Sequence, residues 1–169
     1  MSLITPESVA LDADLGPDKA AVVRGLAGLV AAAGRAADAD VLTADALARE
    51  ATAATGLPGG IAVPHCRSAA VTQASLAFAR LSPPVAFGAP DGPADLAFLV
   101  ATPEHGGADH LALLTALARA LSGPRLVPDL RAARTPAEVA ALVQEAVTPP
   151  RGADPAPGPT SAPIGSVPG

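Results

Sequence analysis

The chain has 169 residues and a formal net charge of −5 at pH 7, and half of its residues are apolar although only three are aromatic. An acidic protein without Trp or Tyr is a poor candidate for nucleic acid, which binds basic faces and stacks its bases on aromatic rings. A single cysteine excludes an internal disulfide, the longest apolar run (residues 96–101) is far shorter than the ~20 residues of a membrane span, and no signal peptide is evident, so a cytoplasmic location is expected.

The first two helices are predicted by apolar spacing and terminal residues. Large apolar side chains recur at helical intervals over residues 22–30, Pro17 precedes them near a first turn, and Gly34 ends the pattern. A second helix is expected from Thr43, whose hydroxyl can cap it, to about residue 53. No strand is predicted in this part of the chain.

Strands are predicted in the middle of the chain. A glycine-rich turn at residues 56–60 leads into a short strand at residues 61–63, which Pro64 ends. Residues 95–101 are apolar on both faces, as expected for a strand buried at the centre of a sheet. Two further strand-like stretches lie between them, at residues 73–81 and 85–87.

Helices return in the last third of the chain. An apolar stripe over residues 111–121 predicts one helix, and a short helix is expected at residues 125–131. The last helix opens with Thr135 as its cap and Glu138 completing a capping box. This order of elements predicts an α/β fold, with a mixed β-sheet flanked by helices on both faces, as a single domain over residues 1–147.

The composition changes abruptly after this domain. Residues 148–169 hold seven prolines and four glycines, and their only large apolar side chains are Ile164 and Val167. Such a segment buries too little surface to offset its ordering entropy, so we expect a disordered Pro/Gly-rich linker or tail. Linkers of this kind tether domains and raise their effective concentration.

Among the residues that could perform chemistry, His65 has the most informative position. It directly follows a predicted strand and Pro64, at the rim of the expected sheet, beside Gly59 and Gly60. An imidazole is neutral and nucleophilic near pH 7, so it can attack phosphorus without a separate base. The two glycines are candidate phosphate-binding residues, because glycine lets backbone N–H groups approach an anion closely.

Two further residues could support a phosphoryl group on His65. His110 falls in the first turn of a predicted helix, where extra positive charge is disfavoured, so it is expected to stay neutral and donate a hydrogen bond. Arg49 could supply the guanidinium fork that suits phosphate. A nucleophilic histidine, a second histidine, a cation and backbone donors are together what phosphoryl transfer requires.

Each of these residues also has an ordinary interpretation. Taken alone, Arg49 and Glu50 are a solvated helix pair, and Gly59-Gly60 is a turn. Cys66 is interpreted as a small buried or half-buried thiol, and His105 as a solvated loop residue. The three histidines and the cysteine could instead form a small metal site, but they lack the close paired spacing of structural zinc sites. No metal and no cofactor are therefore expected.

Three stretches of the sequence resemble one known family. The first joins Ala-Arg-Glu at residues 48–50 to TGLPGGIAVPH at residues 55–65. The second is DHLALL at residues 109–114, and the chain opens with LITP at residues 3–6. These stretches resemble the fructose/mannitol-type enzyme IIA domains of the bacterial sugar phosphotransferase system, and the likeness covers roughly residues 3–147.

The resemblance implies a role for each candidate residue. His65 would accept a phosphoryl group from the carrier protein HPr and pass it to a cysteine of a IIB domain, with a membrane IIC component acting downstream. His110 and Arg49 would surround the phosphate. Arg67, in a stretch where some relatives carry other residues, could add a phosphate contact or simply face solvent.

Two functions remain open at this point. The resemblance favours a phosphoenolpyruvate-dependent phosphocarrier in sugar uptake, of the fructose type, and the linker agrees because A domains are often tethered to B and C domains. The alternative is a regulatory protein, because relatives with this fold sense nitrogen status or are fused to transcription activators.

Overall fold

The computed structural model describes residues 2–105 and 107–148, so the predicted linker lies outside the described residues apart from Thr148. The helices in these ranges are α1 (Lys19–Ala32), α2 (Ala39–Thr52), α3 (Gly107–Ser122), α4 (Leu126–Ala132) and α5 (Pro136–Val147), with a short 3-10 turn at Pro6–Ser8. The strands are β1 (Val9–Ala13), β2 (Gly56–Leu57), β3 (Ile61–Ala62), β4 (His65–Ser68), β5 (Ser75–Val85) and β6 (Ala94–Pro103). None of these helices combines the length and apolarity that a membrane-spanning segment needs.

The six strands form one mixed sheet around β6. On one side β6 pairs antiparallel with β5, whose other edge pairs parallel with β1. On the other side β6 pairs parallel with β3 and then with β4, which follow one another along its length. β2 pairs antiparallel with β3, which gives the order β1-β5-β6-β3-β2.

Apolar side chains pack on both faces of this sheet. One cluster joins α1 and α2 to the sheet and consists mostly of Ala, Val and Leu. The other joins α3, α4 and α5 to the opposite face and contains Phe78 and Phe98, whose ring centroids lie 4.9 Å apart. Alternate residues of β5 enter the two clusters, since successive side chains of a strand point to opposite faces: Ala77 and Ala79 enter the first, Leu76 and Phe78 the second. The predicted α/β architecture is confirmed.

The structure corrects three local predictions. β1 lies in a stretch for which the sequence analysis predicted no strand, and its Asp12 has a positive φ of 50°. α2 is capped by Asp38, whose carboxylate accepts two backbone N–H groups, whereas Thr43 lies inside the helix and donates to the carbonyl of Ala39. The turn predicted at residues 56–60 contains β2, a two-residue strand.

The edge of the sheet continues past Pro64, where the sequence predicted that it would stop. The carbonyl of Pro64 accepts a hydrogen bond from the N–H of Val100 at 3.0 Å, so the ladder with β6 survives a residue that lacks its own N–H. His65 therefore begins β4 opposite Val100. The separate strand expected at residues 85–87 is likewise absent, because Val85 is the last residue of β5.

Candidate functional site

A polar pocket lies where β4 meets α2 and the start of α3. Its volume is about 600 Å³. The lining residues are Asp45, Arg49, His65, Cys66, Arg67, Glu104, Gly107 and His110. Four of the six residues predicted from the sequence thus line one pocket, namely His65, His110, Arg49 and Arg67.

Secondary structure gathers these side chains from distant parts of the sequence. β4 presents His65 and Arg67 two residues apart, on one face of the strand. α2 presents Asp45 and Arg49 four residues apart, one helical turn along the same face. β6 runs parallel to β4 and leads the chain towards α3, whose first turn carries His110. The carboxyl ends of parallel strands therefore meet two helix termini, a common position for sites in α/β folds.

A hydrogen bond to the backbone orients the half-buried ring of His65. Its Nδ1 lies 2.9 Å from the carbonyl oxygen of Val63. Because a carbonyl oxygen can only accept, Nδ1 carries the proton and Nε2 of the neutral ring keeps its lone pair. Nε2 is therefore the nucleophilic atom of this side chain.

His110 lies close to His65, with ring centroids 5.7 Å apart and ring planes at 44°. Its Nδ1 is 2.7 Å from the hydroxyl of Thr102, a fully buried residue of β6. Burial lowers the pKa of His110, and repulsion from the positive charges of Arg67, Arg49 and a protonated His65 lowers it further. The structure agrees with the expectation of a neutral His110, although burial is the first cause rather than the helix terminus.

Two guanidinium groups contribute positive charge to the pocket. Arg49 donates to the hydroxyl of Thr52 at 2.9 Å and to the carbonyl of Ala53 at 3.3 Å. Arg67 is exposed, and its Nη1 lies so close to Gly107 that a Cβ there would be only 3.2 Å away. Neither guanidinium forms an ion pair with a described carboxylate, so both can bind an anion. Gly107 also places the positive end of the α3 dipole at the pocket.

The structure does not bring Gly59 and Gly60 to this pocket. The carbonyl of Gly60 accepts from the N–H of Asp95 at the start of β6. His65 lies five residues further on, roughly 16 Å along an extended chain. The N–H of Gly59 donates to the carboxylate of Asp91 at 2.8 Å. Both glycines have positive φ and form the turn before β3, so their predicted placement beside His65 is wrong.

Sequence reasoning missed three lining residues, and only one of them had a signal. Asp45 lies one helical turn before Arg49 on α2, and its carboxylate accepts from the hydroxyl of buried Ser68 at 2.6 Å, which ties α2 to β4. Glu104 directly follows β6 and Gly107 is the first residue of α3, and no motif specified either of them.

Cys66 lines the pocket as a buried thiol, as its interpretation from the sequence expected. Burial first, and then the charge of Asp45, raise the pKa of this thiol to about 12. The thiolate, which is the reactive form, is therefore essentially absent near neutral pH.

Glu50 is not the solvated partner of Arg49 that the sequence suggested. It is only 5% exposed, and its carboxylate accepts the N–H and the hydroxyl of Thr55 at 2.9 and 2.6 Å. It also forms an ion pair with Lys19 at 3.2 Å. These contacts fix the chain that leaves α2 towards His65, and so help to hold the end of α2 that carries Arg49.

The alternative of a metal site finds no support in the described part of the chain. Within residues 2–105 and 107–148, no group of three or more His, Cys, Asp or Glu side chains could hold a metal ion. His105 is exposed and does not line the pocket.

An apolar groove of about 310 Å³ adjoins the pocket and shares His65 and Arg49 with it. Apolar side chains from α3, β2 and the segments on either side of β2 and β3 dominate its lining: Ala54, Leu57, Val63, Leu114, Leu117, Ala118 and Leu121. Leu57 is 40% exposed, so the groove offers apolar surface beside His65.

Comparisons with known proteins show the same likeness over most of the chain. The family model described as phosphoenolpyruvate-dependent sugar phosphotransferase system, EIIA 2, matches residues 2–146. The PTS system fructose-specific EIIA component of Haloferax volcanii is 39% identical over 123 residues, which cover 72% of this chain and 79% of that protein. The nitrogen regulatory protein of Pseudomonas aeruginosa is 37% identical over 121 residues, covering 71% and 79%. The crystal structure of nitrogen regulatory protein IIA-Ntr from Neisseria meningitidis is 31% identical with a TM-score of 0.75, covering 83% of this chain and 96% of that one.

Proposed function

Because this chain belongs to the EIIA 2 family of the phosphoenolpyruvate-dependent sugar phosphotransferase system, whose members are phosphotransferases, we propose that its His65 accepts a phosphoryl group from phosphorylated HPr. The domain passes this group to a cysteine of a IIB domain, separate or fused, and so drives uptake of a sugar of the fructose type through a membrane IIC component. The observation that carries the proposal is the nucleophilic Nε2 of His65, in a pocket shared with His110, Arg49 and Arg67.

Nε2 of His65 is the atom that forms the bond to phosphorus. Its lone pair attacks the phosphorus of phosphohistidine on HPr, and the donor P–N bond breaks as the new P–N bond forms. The Nδ1 proton stays hydrogen-bonded to the carbonyl of Val63, which stabilises the positive charge that the ring acquires. In the onward step the thiolate of the IIB cysteine attacks phosphorus, so a P–S bond forms and the P–N bond breaks.

The positive charges around the pocket complement the negative charge of the transferred group. A phosphoryl group on His65 brings about two negative charges. Arg49, Arg67 and the N-terminus of α3 supply the opposite charge, and His110 is a neutral ring beside the acceptor. Because the transition state spreads charge over three equatorial oxygens, several donors on different sides of phosphorus stabilise it better than one.

The apolar groove beside His65 is the surface where we place both protein partners. The attacking or leaving atom of a partner must come within bonding distance of Nε2, so the partner must cover the rim of the pocket. The centre of this contact surface is apolar, because it consists of exposed Leu57 and apolar side chains of α3. Arg49 lies at its polar edge, and an apolar centre with a polar rim is typical of protein interfaces.

The proposal extends to the organisation of the chain. Residues 1–147 are the phosphocarrier domain and residues 148–169 a Pro/Gly-rich linker or tail, which would keep the domain near a partner. The domain is proposed to operate in the cytoplasm, and its single cysteine agrees with a reducing compartment.

Phosphorylation in a purified system tests the proposal. The chain is incubated with phosphoenolpyruvate, enzyme I and HPr, and its intact mass is read before and after mild acid, which removes phosphate from histidine. Wild type should gain one acid-labile phosphoryl group and His65→Ala none. His105→Ala is the matched control and should be labelled like wild type, because His105 is exposed outside the pocket. Labelling of the His65→Ala variant, or none in wild type, would refute the proposal.

A second function is favoured by the likeness to the Pseudomonas and Neisseria nitrogen regulatory proteins. In that case phosphorylation of His65 would control binding to another protein rather than feed a sugar. The two functions separate when a panel of IIB domains is added to the phosphorylated chain. A sugar carrier loses its phosphoryl group to an IIB cysteine, whereas a regulator keeps it.

A further inference from the structure

We infer that Thr102 is a positioning residue, whose hydroxyl donates to Nδ1 of His110 and holds that ring as the neutral tautomer with its proton on Nε2. The functional meaning of this inference rests on the phosphoryl transfer proposed above. Its structural part does not, because it concerns the unphosphorylated protein.

The argument begins with the surroundings of the Thr102 hydroxyl. Thr102 is fully buried, so bulk water cannot take its proton. Among the residues that the structure describes, Nδ1 of His110 at 2.7 Å is the hydrogen-bond partner of this hydroxyl, and no carbonyl oxygen accepts from it. A buried donor without an acceptor is costly, so the proton of Thr102 must point at Nδ1.

The tautomer of His110 follows from that direction. Nδ1 can accept a proton from Thr102 only if it has a lone pair, and a neutral imidazole then carries its hydrogen on Nε2. The reverse arrangement, with Nδ1 as donor, would leave the hydroxyl proton of Thr102 buried without a partner. His110 thus presents a donor, Nε2–H, beside the lone pair of His65.

The charged surroundings favour the same state. Protonation on Nδ1 would turn the hydroxyl of Thr102 away from its acceptor and add a positive charge near His65 and Arg67 of β4 and Arg49 of α2. Burial first, and then the positive charges of Arg67 and Arg49, lower the pKa of His110, which agrees with a neutral ring. The carboxylates that line the same pocket are Asp45 and Glu104.

The tautomer can be read directly in the unmodified full chain. Long-range proton–nitrogen correlation spectra of protein labelled with ¹⁵N-histidine, at about pH 7.5, distinguish a protonated from a bare ring nitrogen. His110 should show a proton on Nε2 and none on Nδ1, and His65 the opposite pattern. A proton on Nδ1 of His110, or a charged ring, would overturn the inference, even if the chain is phosphorylated as proposed. The correct tautomer in a chain that HPr does not phosphorylate would instead count against the proposed function alone.

Two variants of Thr102 test the consequence for transfer. Thr102→Val keeps the shape but removes the hydroxyl, so the ¹⁵N shift of Nδ1 should move and transfer from phosphorylated HPr should slow roughly tenfold. Thr102→Ser keeps the hydroxyl and should retain both the shift and, within about twofold, the rate. A folded valine variant with wild-type shift and rate would overturn the inference. If the valine variant does not fold, the serine variant decides. A serine variant in which His110 no longer carries its proton on Nε2 would also overturn the inference.

Discussion

At the scale of single residues, the two histidines of the pocket acquire opposite roles from whatever meets their Nδ1 atoms. Nδ1 of His65 meets a backbone carbonyl, which accepts and leaves Nε2 bare. Nδ1 of His110 meets a hydroxyl, which can donate. Two side chains of one type, with ring centroids 5.7 Å apart, can therefore serve as nucleophile and as hydrogen-bond donor. The choice is made by β4 and β6, which position the two partners.

The lowered pKa of His110 predicts how stability depends on pH. Folding lowers this pKa from its ordinary value of 6.5, so between 6.5 and the folded value the unfolded chain binds more protons. The free energy of unfolding therefore rises with pH across this window and decreases as the pH falls through it. In His110→Ala the contribution of this titration is absent, so the free energy of unfolding should decrease less steeply between about pH 7 and pH 5 than in wild type.

Urea unfolding at several pH values in that range measures the effect. His105→Ala is the matched control, because the exposed His105 lies outside the pocket and the variant should decline as steeply as wild type. If the His110→Ala and wild-type curves run parallel, folding does not perturb the titration of His110.

A second prediction at this scale concerns Arg67, whose guanidinium faces the pocket without an ion-pair partner among the described residues. Removing it in Arg67→Ala should slow transfer from phosphorylated HPr roughly tenfold, because a charge-assisted contact to the phosphoryl oxygens is lost. The melting temperature should barely change, since Arg67 is exposed. Arg119→Ala, which removes an exposed arginine of α3 away from the pocket, controls for net charge. Equal rates in the two variants would show that Arg67 only faces solvent.

Among the helices and strands, features that depend only on neighbouring residues could be predicted from the sequence, whereas features that depend on strand pairing could not. The cap of α5 was found because it depends only on neighbours: the hydroxyl of Thr135 accepts the N–H of Glu138 at 3.1 Å. α2 offered two candidate caps, and the sequence could not show that Asp38 begins the helix while Thr43 is absorbed into it. β1 was missed because it is short and contains the left-handed Asp12. β2 exists only through its pairing with β3.

The same distinction explains what could be predicted of the site. His65, Arg49 and His110 stood in recognisable motifs, so their chemistry was available from the sequence. The sequence could not predict that Gly59 lies away from the pocket and that Gly107 lines it, because both positions depend on how β3 and β4 pair with β6. Glu50 was misread because a charged residue at a helix end is usually solvated, whereas here Lys19 and Thr55 pair with it.

Arg80 predicts an element-scale effect on stability. Its Nη1 donates to the carbonyls of Leu130 and Ala133 at 3.0 and 2.7 Å, and its Nε and Nη2 bind the carboxylate of Asp12 at 2.8 and 3.0 Å. One side chain thus joins β5, β1 and the end of α4. Arg80→Met keeps the apolar stem but leaves these acceptors without a donor. The free energy of unfolding should fall by about 2 kcal/mol, most of it from the carbonyl contacts.

Urea denaturation at neutral pH measures the loss in Arg80→Met. Arg134→Met is the control, because Arg134 is an exposed arginine of the same region and its replacement should change stability by less than about 0.5 kcal/mol. Similar losses in both variants would mean that the Arg80 contacts do not stabilise the fold.

At the scale of the whole molecule, the pocket spans the two faces of the sheet. Arg49 belongs to α2, which packs on one face, and His110 belongs to α3, which packs on the other. His65 lies between them on β4. The distances around the pocket therefore depend on both apolar clusters at once, which explains why a rigid mixed sheet suits a site made of side chains from two layers.

The last contacts of the described chain tie its two ends together. The side-chain oxygen of Gln144 accepts from the N–H of Leu3 at 2.7 Å, and Thr148 closes α5 through two hydrogen bonds to the carbonyl of Gln144. Val147 is 7% exposed and belongs to the cluster beneath α5. We therefore predict that the domain ends near residue 148, where the composition of the sequence also changes.

Truncation at two positions tests this boundary. A chain of residues 1–148 keeps every contact described above, so it should melt within about 2 °C of the full chain and accept phosphate from HPr at the same rate. A chain of residues 1–143 loses Gln144 and Val147 and with them the tie to Leu3, so it should melt roughly 5 °C or more lower. Differential scanning calorimetry of the three chains makes the comparison. If 1–148 melts as low as 1–143, residues 149–169 contribute to the fold, and their interpretation as a linker or tail is wrong.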